Sequence, residues 1–279
     1  MGLATVSGLA RRGWFIPHRY ADTLAAAGSN PTYRPLLDRF DACRPSFLDV
    51  LAAIDRHAPA LQAIATESGR TAPGIPNPRF DQGWFATLDA AAAYALVREL
   101  APRRIVEIGS GHSTRFLARA LHDAGGDGRI LSIDPAPRAA IENLAPRVSF
   151  DRRTVQHLDE TRFRDLQAGD VLFVDSSHIL MPGSDCDHLF NRILPLLPSG
   201  AIVHIHDIFL PDDYPPQWAW RNYNEQQGVA PMLSSGGWTP LFASHYVRTR
   251  AAEAVQGAVV ARLPRHPAAI DASLWLRKA

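Results

Sequence analysis

The chain has 279 residues, a length that allows two domains or one large α/β domain with an appendage. Hydrophobic residues make up 46% of it and charged residues 20%, which excludes a mostly disordered chain. The formal net charge of +1 gives no indication of a nucleic-acid partner. Its two cysteines, Cys43 and Cys186, are too few for a disulfide framework, so we expect a reducing, cytoplasmic environment.

The first 80 residues differ in pattern from the remainder. Apolar residues recur at helical spacing over Asp38–Ile64, and we expect Pro45 and Pro59 to divide this stretch into separate helical pieces. The segment 71–78 is rich in proline and predicts a linker or a lid-like loop. We therefore predict a helical cap over residues 1–80, with a substrate lid as the alternative. The sequence shows neither a signal peptide nor an apolar run long enough to span a membrane.

Short apolar strands alternate with helical segments from Trp84 onward. Helices are predicted over Leu88–Leu100 and Ser113–His122. The predicted strands are Arg104–Gly109, Arg129–Asp134, Val148–Phe150, Asp170–Asp175 and Ala201–Asp207. This alternation predicts an α/β domain over residues 84–279, with a mostly parallel sheet. Ligands of such sheets bind beyond the carboxyl ends of the strands, where this sequence places acidic residues.

The turn after the first predicted strand contains Gly109 and Gly111, which allow the backbone to approach a ligand closely. The third glycine of a dinucleotide site is absent, and Glu107 would be unfavourable beside a pyrophosphate. Asp134 ends the next strand and is suited to accept both hydroxyl groups of a ribose. These residues favour a nucleoside with an amino-acid or sulfonium portion over a dinucleotide.

Two acids and two histidines follow the fourth and fifth predicted strands. His206 and Asp207 are adjacent, so both reach one site only if the strand ends before them. In one interpretation Asp175, His206 and Asp207 hold Mg²⁺ or another divalent cation. In a second, His178 or His206 acts as a general base that an aspartate orients. A structural hydrogen-bond network is the third interpretation of this group.

The segment after the fifth strand is rich in proline and aromatic residues. Such side chains with a few polar groups are typical of a small-molecule pocket, although Trp218 and Trp220 could equally pack the segment onto the core. The candidate substrate-binding residues are Tyr214, Arg221, Asn224 and Glu225.

Several of these motifs together resemble those of class I S-adenosylmethionine-dependent methyltransferases. Val106–Thr114 is similar to the first motif of that family, and Ser132–Asp134 to its ribose-binding acid. Phe173–His178 and Leu194–Asp207 resemble a bacterial small-molecule subgroup with D-x-S-H and H-D motifs, akin to the macrocin-type O-methyltransferases. Ser273–Lys278 looks like the closing antiparallel strand of the family.

The resemblance implies a Rossmann-like sheet whose final strand is antiparallel, with S-adenosylmethionine as cofactor. The cofactor-binding residues that it implies are Glu107, Gly109, Ser110, Gly111, Ser113, Asp134, Gln156 and Asp175. The catalytic candidates are Asp175, His178, His206 and Asp207. The expected reaction is methylation of a small molecule at a hydroxyl oxygen, as in a natural product or sugar.

Two other functions stay open at this point: a metal-dependent relative that hydroxylates, and a non-catalytic protein that binds the cofactor. The expected partner is the small-molecule substrate, without nucleic acid or membrane. A homodimer is the assembly that we consider.

Overall fold

The computed structural model of the protein describes residues 2–26, 28–67, 77–137, 144 and 146–279. The predicted loop over residues 71–78 therefore lies outside the described residues except for its last two positions. Within the described ranges, none of the helices is both long enough and apolar enough to cross a membrane. Cys43 and Cys186 are both free thiols, and the cytoplasmic location stays a prediction.

A single seven-stranded sheet forms the centre of the protein. Its strands are β1 (Arg104–Ile108), β2 (Arg129–Ile133), β3 (Val148–Asp151), β4 (Val171–Val174), β5 (Ile202–Ile205), β6 (Trp238–Ala243) and β7 (Leu274–Lys278). They lie in the order β3-β2-β1-β4-β5-β7-β6. Strands β1 to β5 are parallel, and β7 pairs antiparallel with both β5 and β6. The predicted mostly parallel, Rossmann-like sheet with a final antiparallel strand is confirmed.

Ten α-helices accompany this sheet in the described part of the chain. They are α1 (Gly2–Val6), α2 (Arg34–Arg56), α3 (Ala58–Glu67), α4 (Thr87–Leu100), α5 (His112–Ala124), α6 (Thr161–Arg164), α7 (Asp185–His188), α8 (Gln226–Ser234), α9 (Ser244–Arg250) and α10 (Ala252–Gly257). A 3₁₀ turn over Pro216–Arg221 lies between β5 and α8. Because β1, β2, β4 and β5 are parallel, their carboxyl ends meet at one edge of the sheet.

Helix α2 continues through Pro45, and the predicted division at this residue is wrong. Proline removes one backbone hydrogen bond within a helix, which normally favours a break. Here buried side chains hold the helical turns on either side of Pro45. Phe40 and Phe47 are fully buried, and their rings contact the ring of Tyr246 edge-to-face at centroid distances of 5.8 and 5.5 Å. Packing of these rings outweighs the lost hydrogen bond. Pro59 lies in the first turn of α3, where a proline is tolerated.

Helices α2 and α3 share one continuous hydrophobic core with the sheet, and α2 packs against both α4 and β6. A second connection joins the N-terminal segment to the chain that follows β5. Oδ2 of Asp213 accepts hydrogen bonds from the backbone of Gly28 (3.1 Å) and from Nδ2 of Asn30 (2.8 Å). The hydroxyl of Thr32 donates to Asp212 at 2.6 Å. The division into a cap over residues 1–80 and a domain over 84–279 stays a prediction.

Candidate active site

The turn between β1 and α5 packs directly against the end of β4. Gly109 has a φ of 80°, and a Cβ atom added there would overlap the carbonyl oxygen of Asp175. Only glycine satisfies both the backbone conformation and this close approach. The contact brings Asp175 beside the glycine turn.

Glu107 lies beneath the turn, with none of its side chain exposed. Its Oε1 accepts a hydrogen bond from Ser113 at 2.8 Å, and its Oε2 accepts from Thr114 at 2.7 Å and from Ser132 at 2.9 Å. Burial raises the pKa of Glu107 to about 7, although the three hydroxyl donors partly oppose that shift. Glu107 therefore holds the turn together from below instead of facing a cavity.

A cavity of about 280 Å³ opens where β1, β2 and β4 end. It brings together five of the eight predicted cofactor residues: Gly109, Ser110, Asp134, Gln156 and Asp175. Gly111 and Ser113 line a neighbouring cavity instead. A larger cavity, about 680 Å³, lies at the opposite edge beside Arg103 and Gly128 and is lined by none of the predicted site residues. Parallel sheets bind ligands at the carboxyl edge, which favours the 280 Å³ cavity.

Asp134 is held in place by the glycine turn. Its Oδ2 accepts from the backbone N–H (2.8 Å) and the hydroxyl (3.0 Å) of Ser110, and its Oδ1 accepts from the backbone of Ala136 (2.7 Å). A carboxylate has about four acceptor positions, so at least one remains for a ribose hydroxyl. In the same cavity, Oε1 of Gln156 is a buried acceptor without a hydrogen-bond partner, which an adenine amino group would satisfy. These residues fit an adenosine group.

A second cavity, about 60 Å³, adjoins the first, and Ser110 and Asp175 line both. Strand β5 ends at Ile205, so His206 and Asp207 both lie beyond it and both line this second cavity. Both residues could reach one site only if the strand ended before them, and in the structure it does. His178 and Asp207 have φ values of 60° and 57°, an uncommon conformation for such residues that the surrounding contacts maintain.

In this second cavity two carboxylates and two imidazoles alternate in a closed ring, which we call the Asp–His ring: Asp175, His178, Asp207 and His206. Nε2 of His178 lies 3.3 Å from Oδ1 of Asp175 and 3.4 Å from Oδ2 of Asp207. Nδ1 of His206 lies 3.5 Å from Oδ1 of Asp175 and 3.4 Å from Oδ1 of Asp207. Each carboxylate therefore contacts both imidazoles.

Two further carboxylates lie behind the Asp–His ring. Oε2 of Glu225 is 2.9 Å from Nδ1 of His178, and Oδ2 of Asp89, on α4, is 3.6 Å from Nε2 of His206. Burial alone would lower the pKa of both histidines, but the carboxylates, Asp207 foremost, raise it well above the ordinary value. The two imidazoles in turn hold the pKa of Asp175 well below its usual range, against the effect of burial. The Asp–His ring therefore favours the charged form of both imidazoles.

The metal site predicted at Asp175, His206 and Asp207 is not found: the described ranges contain no group of three histidine, cysteine, aspartate or glutamate side chains arranged to hold a metal ion. The physical reason lies in the Asp–His ring. The imidazole nitrogens of His178 and His206 lie between the two carboxylates and compensate their charge, the role that a cation would have.

Of the four predicted substrate-binding residues, Arg221 alone lines this cavity. Glu225 is fully buried behind His178, and the side chain of Asn224 bonds to both backbone groups of Leu180. The hydroxyl of Tyr214 accepts from the backbone of Gln226 at 3.2 Å. The side chains of Tyr214, Asn224 and Glu225 therefore stabilise the segment that follows β5 and do not line the second cavity. Residues that sequence reasoning did not select also line the cavity: Trp84, Phe85, His112, Trp218 and Tyr223.

Residues 106–208 match the model of a family described as a methyltransferase domain. The match starts within β1, includes the glycine turn and Asp134, and ends one residue after Asp207. The match spans 103 of the 279 residues, which is less than half of the chain. No curated protein is significantly similar to the chain.

Solved structures with similarity to this chain include methyltransferases. The S-adenosylhomocysteine (SAH)-bound methyltransferase PaMTH1 of Podospora anserina is 18% identical over 69% of this chain and 78% of its own, with a TM-score of 0.44. An O-methyltransferase of Bacillus cereus in complex with SAH is 15% identical over 81% and 91%, with a TM-score of 0.44. Cofactor-bound Rv0187 from MTB is 17% identical over 90% and 99%, with a TM-score of 0.45. With TM-scores below 0.5, these likenesses add nothing to what the strand order shows.

Proposed function

We propose that the protein transfers the methyl group of S-adenosylmethionine to a hydroxyl oxygen of a small molecule. The observation that carries this proposal is the junction of the two cavities at Ser110 and Asp175. One cavity suits adenosine, and the other contains the Asp–His ring. The match of residues 106–208 to a methyltransferase domain supports the same conclusion. The resemblance to the macrocin-type subgroup, with a natural-product or sugar acceptor, stays a prediction.

The first cavity supplies the groups that hold the nucleoside. Asp134 binds a ribose hydroxyl, Gln156 accepts from the adenine amino group, and Gly109 leaves space at the turn. Bound in this position, the cofactor supplies a methyl group on a positively charged sulfur. Asp175 lines both cavities, and its carboxylate would favour binding of this positively charged group.

The amino-acid end of the cofactor is expected to extend towards Gly111 and His112. Nδ1 of His112 is buried without a hydrogen-bond partner in the structure. Burial, followed by the positive charges of Arg79 and Arg115, lowers the pKa of His112 to about 4. A carboxylate would accept a hydrogen bond from this imidazole nitrogen, so we propose His112 as a contact of the methionine portion.

His178 is the residue that we propose as general base. When Nδ1–H donates to Glu225, Nε2 faces the cavity and accepts the proton of the acceptor hydroxyl. The imidazolium formed in this way lies between the carboxylates of Asp175, Asp207 and Glu225, which stabilise its charge. Alignment of the acceptor for in-line attack is the second contribution of the cavity walls.

The proposal is tested by combining cofactor titration with product mass. Wild type should bind SAH by calorimetry and add one methylene equivalent to an acceptor. His178→Asn should keep the SAH affinity and lower turnover by about 100-fold or more. Asp207→Asn should likewise keep the SAH affinity and lower turnover by about 100-fold or more. A product that gains an oxygen atom instead would establish the hydroxylase alternative, and binding without turnover would favour a non-catalytic protein.

Two further results would change the proposal. An SAH affinity that is absent in wild type would remove the cofactor assignment altogether. Turnover that is lost in EDTA and restored by Mg²⁺ would overturn His178 as the group that activates the hydroxyl, because a metal-bound oxygen ionises without that base.

A further inference from the structure

Arg221 occupies an aromatic enclosure in the wall of the second cavity. Its guanidinium carbon lies 4.3 Å from the ring centre of Trp218, 5.2 Å from that of Trp220 and 5.3 Å from that of Tyr223. Nη1 donates a hydrogen bond to the hydroxyl of Tyr223 at 2.9 Å. Ring faces stabilise a cation without neutralising it, so the enclosure fixes the guanidinium and leaves its charge in place.

The charge of Arg221 lacks an acidic partner in the part of the chain that the structure describes. Its Nε–H is buried and makes no hydrogen bond, an arrangement that costs free energy unless a ligand satisfies it. The carboxylates that share the cavity, Asp175 and Asp207, are each engaged by both imidazoles of the Asp–His ring at 3.3–3.5 Å. The cavity therefore contains a positioned, uncompensated cation.

We infer that Arg221 binds a carboxylate on the methyl acceptor, so that the substrate is a hydroxy acid. The inference rests on the proposed function for the identity of the second cavity. A carboxylate accepts from Nε and a terminal nitrogen of the same guanidinium in parallel, which satisfies the buried Nε–H. The acceptor hydroxyl then lies at His178, which lines the same cavity and whose ring centre is 4.6 Å from that of Tyr223.

The size of the cavity and its rim indicate the rest of the substrate. The cavity is small, about 60 Å³, so the acidic group and the reacting hydroxyl take up most of the enclosed space. Trp84 lines the same cavity and is 58% exposed, which offers a flat apolar face at the mouth. A ring that carries both the hydroxyl and the carboxylate matches this arrangement.

A carboxylate at Arg221 has a second source, the amino-acid end of the cofactor. The experiment separates the two sources by titrating SAH alone and then titrating acceptor probes with SAH at saturation. The probes are matched pairs that differ only in charge: 3- and 4-hydroxybenzoate against the corresponding hydroxybenzamides, and 2-hydroxypropanoate against its amide. Each titration uses wild type, Arg221→Gln and Arg221→Lys. Arg192→Gln is the control, since Arg192 is an exposed arginine on neither cavity.

Wild type and Arg192→Gln should bind at least one acid about tenfold more tightly than its amide, the size expected for a charge-assisted hydrogen bond. Arg221→Gln should abolish this preference and leave the SAH affinity within twofold. Arg221→Lys should retain part of the preference, which shows that the charge, not a folding defect, is responsible.

Equal affinity of wild type for both members of every pair, including no detectable binding of either, would overturn the inference. A preference that survives in Arg221→Gln would overturn it too. A tenfold loss of SAH affinity in Arg221→Gln would assign the arginine to the cofactor instead. Failure of wild type to bind SAH would contradict the proposed function itself. The SAH titration precedes the addition of any probe, so this result is distinguished from a failure of the inference on Arg221.

Discussion

Nδ1 of His178 lies 2.9 Å from Oε2 of Glu225, a carboxylate with no exposed surface. Burial would lower the pKa of His178, but Asp207, Asp175 and Glu225 raise it well above 6.5. A general base acts in its neutral form, so the active fraction increases as the pH rises through this raised pKa. We therefore expect turnover to rise with pH along a limb that lies above pH 6.5.

Glu225→Gln should move this limb to lower pH. Glutamine keeps an oxygen that accepts from Nδ1–H but removes one of the three negative charges that raise the pKa of His178. A shift of about one pH unit or more is expected from a buried charge at this distance. The measurement is kcat against pH for wild type, Glu225→Gln and the exposed control Glu253→Gln. A limb at the same pH in all three proteins would show that Glu225 does not act through His178.

Glu107→Gln should make the stability of the folded protein less sensitive to a rise in pH from 4.5 to 7. The pKa of about 7 in the folded protein exceeds the ordinary value of 4.5, so the stabilising contribution of this carboxyl is complete below pH 4.5 and is lost as the pH rises towards 7. Glutamine does not ionise, and the variant should therefore gain stability over wild type across this window.

The gain is bounded by the pKa difference and amounts to at most about 3 kcal/mol. Thermal unfolding at pH 4.5, 6 and 8 measures it, with Glu253→Gln as a control whose difference from wild type should not grow with pH. A wild-type advantage that widens towards pH 8 would mean that the three hydroxyl donors favour the charged carboxylate more than burial disfavours it.

Asp134→Ala should weaken SAH binding by about 10- to 100-fold, the loss expected for hydrogen bonds to a charged group. Asp151→Ala is the matched control because Asp151 ends the neighbouring strand β3 but does not line the cavity. Calorimetry with both variants measures the difference. Equal affinities for wild type and Asp134→Ala would remove this residue from the cofactor site.

Gly109→Ala and Gly111→Ala should differ in their effect on folding. A Cβ at Gly109 would overlap the carbonyl oxygen of Asp175 at a positive φ, whereas a Cβ at Gly111 would meet nothing within 4 Å. We expect Gly109→Ala to be destabilised by several kcal/mol or not to fold. Gly111→Ala should retain the fold with a small change in its unfolding midpoint. Equal stability of the two variants would contradict the proposed packing of the turn against β4.

The strands and the cavity edge could be predicted because they depend on local patterns. A short apolar run that ends in an acid sets both the strand and the position of its last side chain, as at Asp134 and Asp175. The division at Pro45 failed because the packing of Phe40 and Phe47 against Tyr246, about 200 residues later in the chain, overrides a local preference.

The groups behind the Asp–His ring could not be predicted for a similar reason. Glu225 is 47 residues from His178 in sequence, and it looked like part of a substrate-binding loop. Asp89 lies on the predicted amphipathic helix Leu88–Leu100 and carried no signal of its contact with His206. Arg221 was recognised within the aromatic segment, but its unpaired Nε becomes visible only in the folded chain.

Because β7 lies between β5 and β6, the sheet cannot be completed until β7 has been synthesised. Strand β6 is joined to the sheet only through β7, although β7 is more than 30 residues further along the chain. A ribosome that has made β6 has therefore not yet made the strand that β6 needs. Translation must pass residue 278 before the sheet closes, and until then both β5 and β6 keep an open edge that a chaperone or a neighbouring nascent chain could occupy.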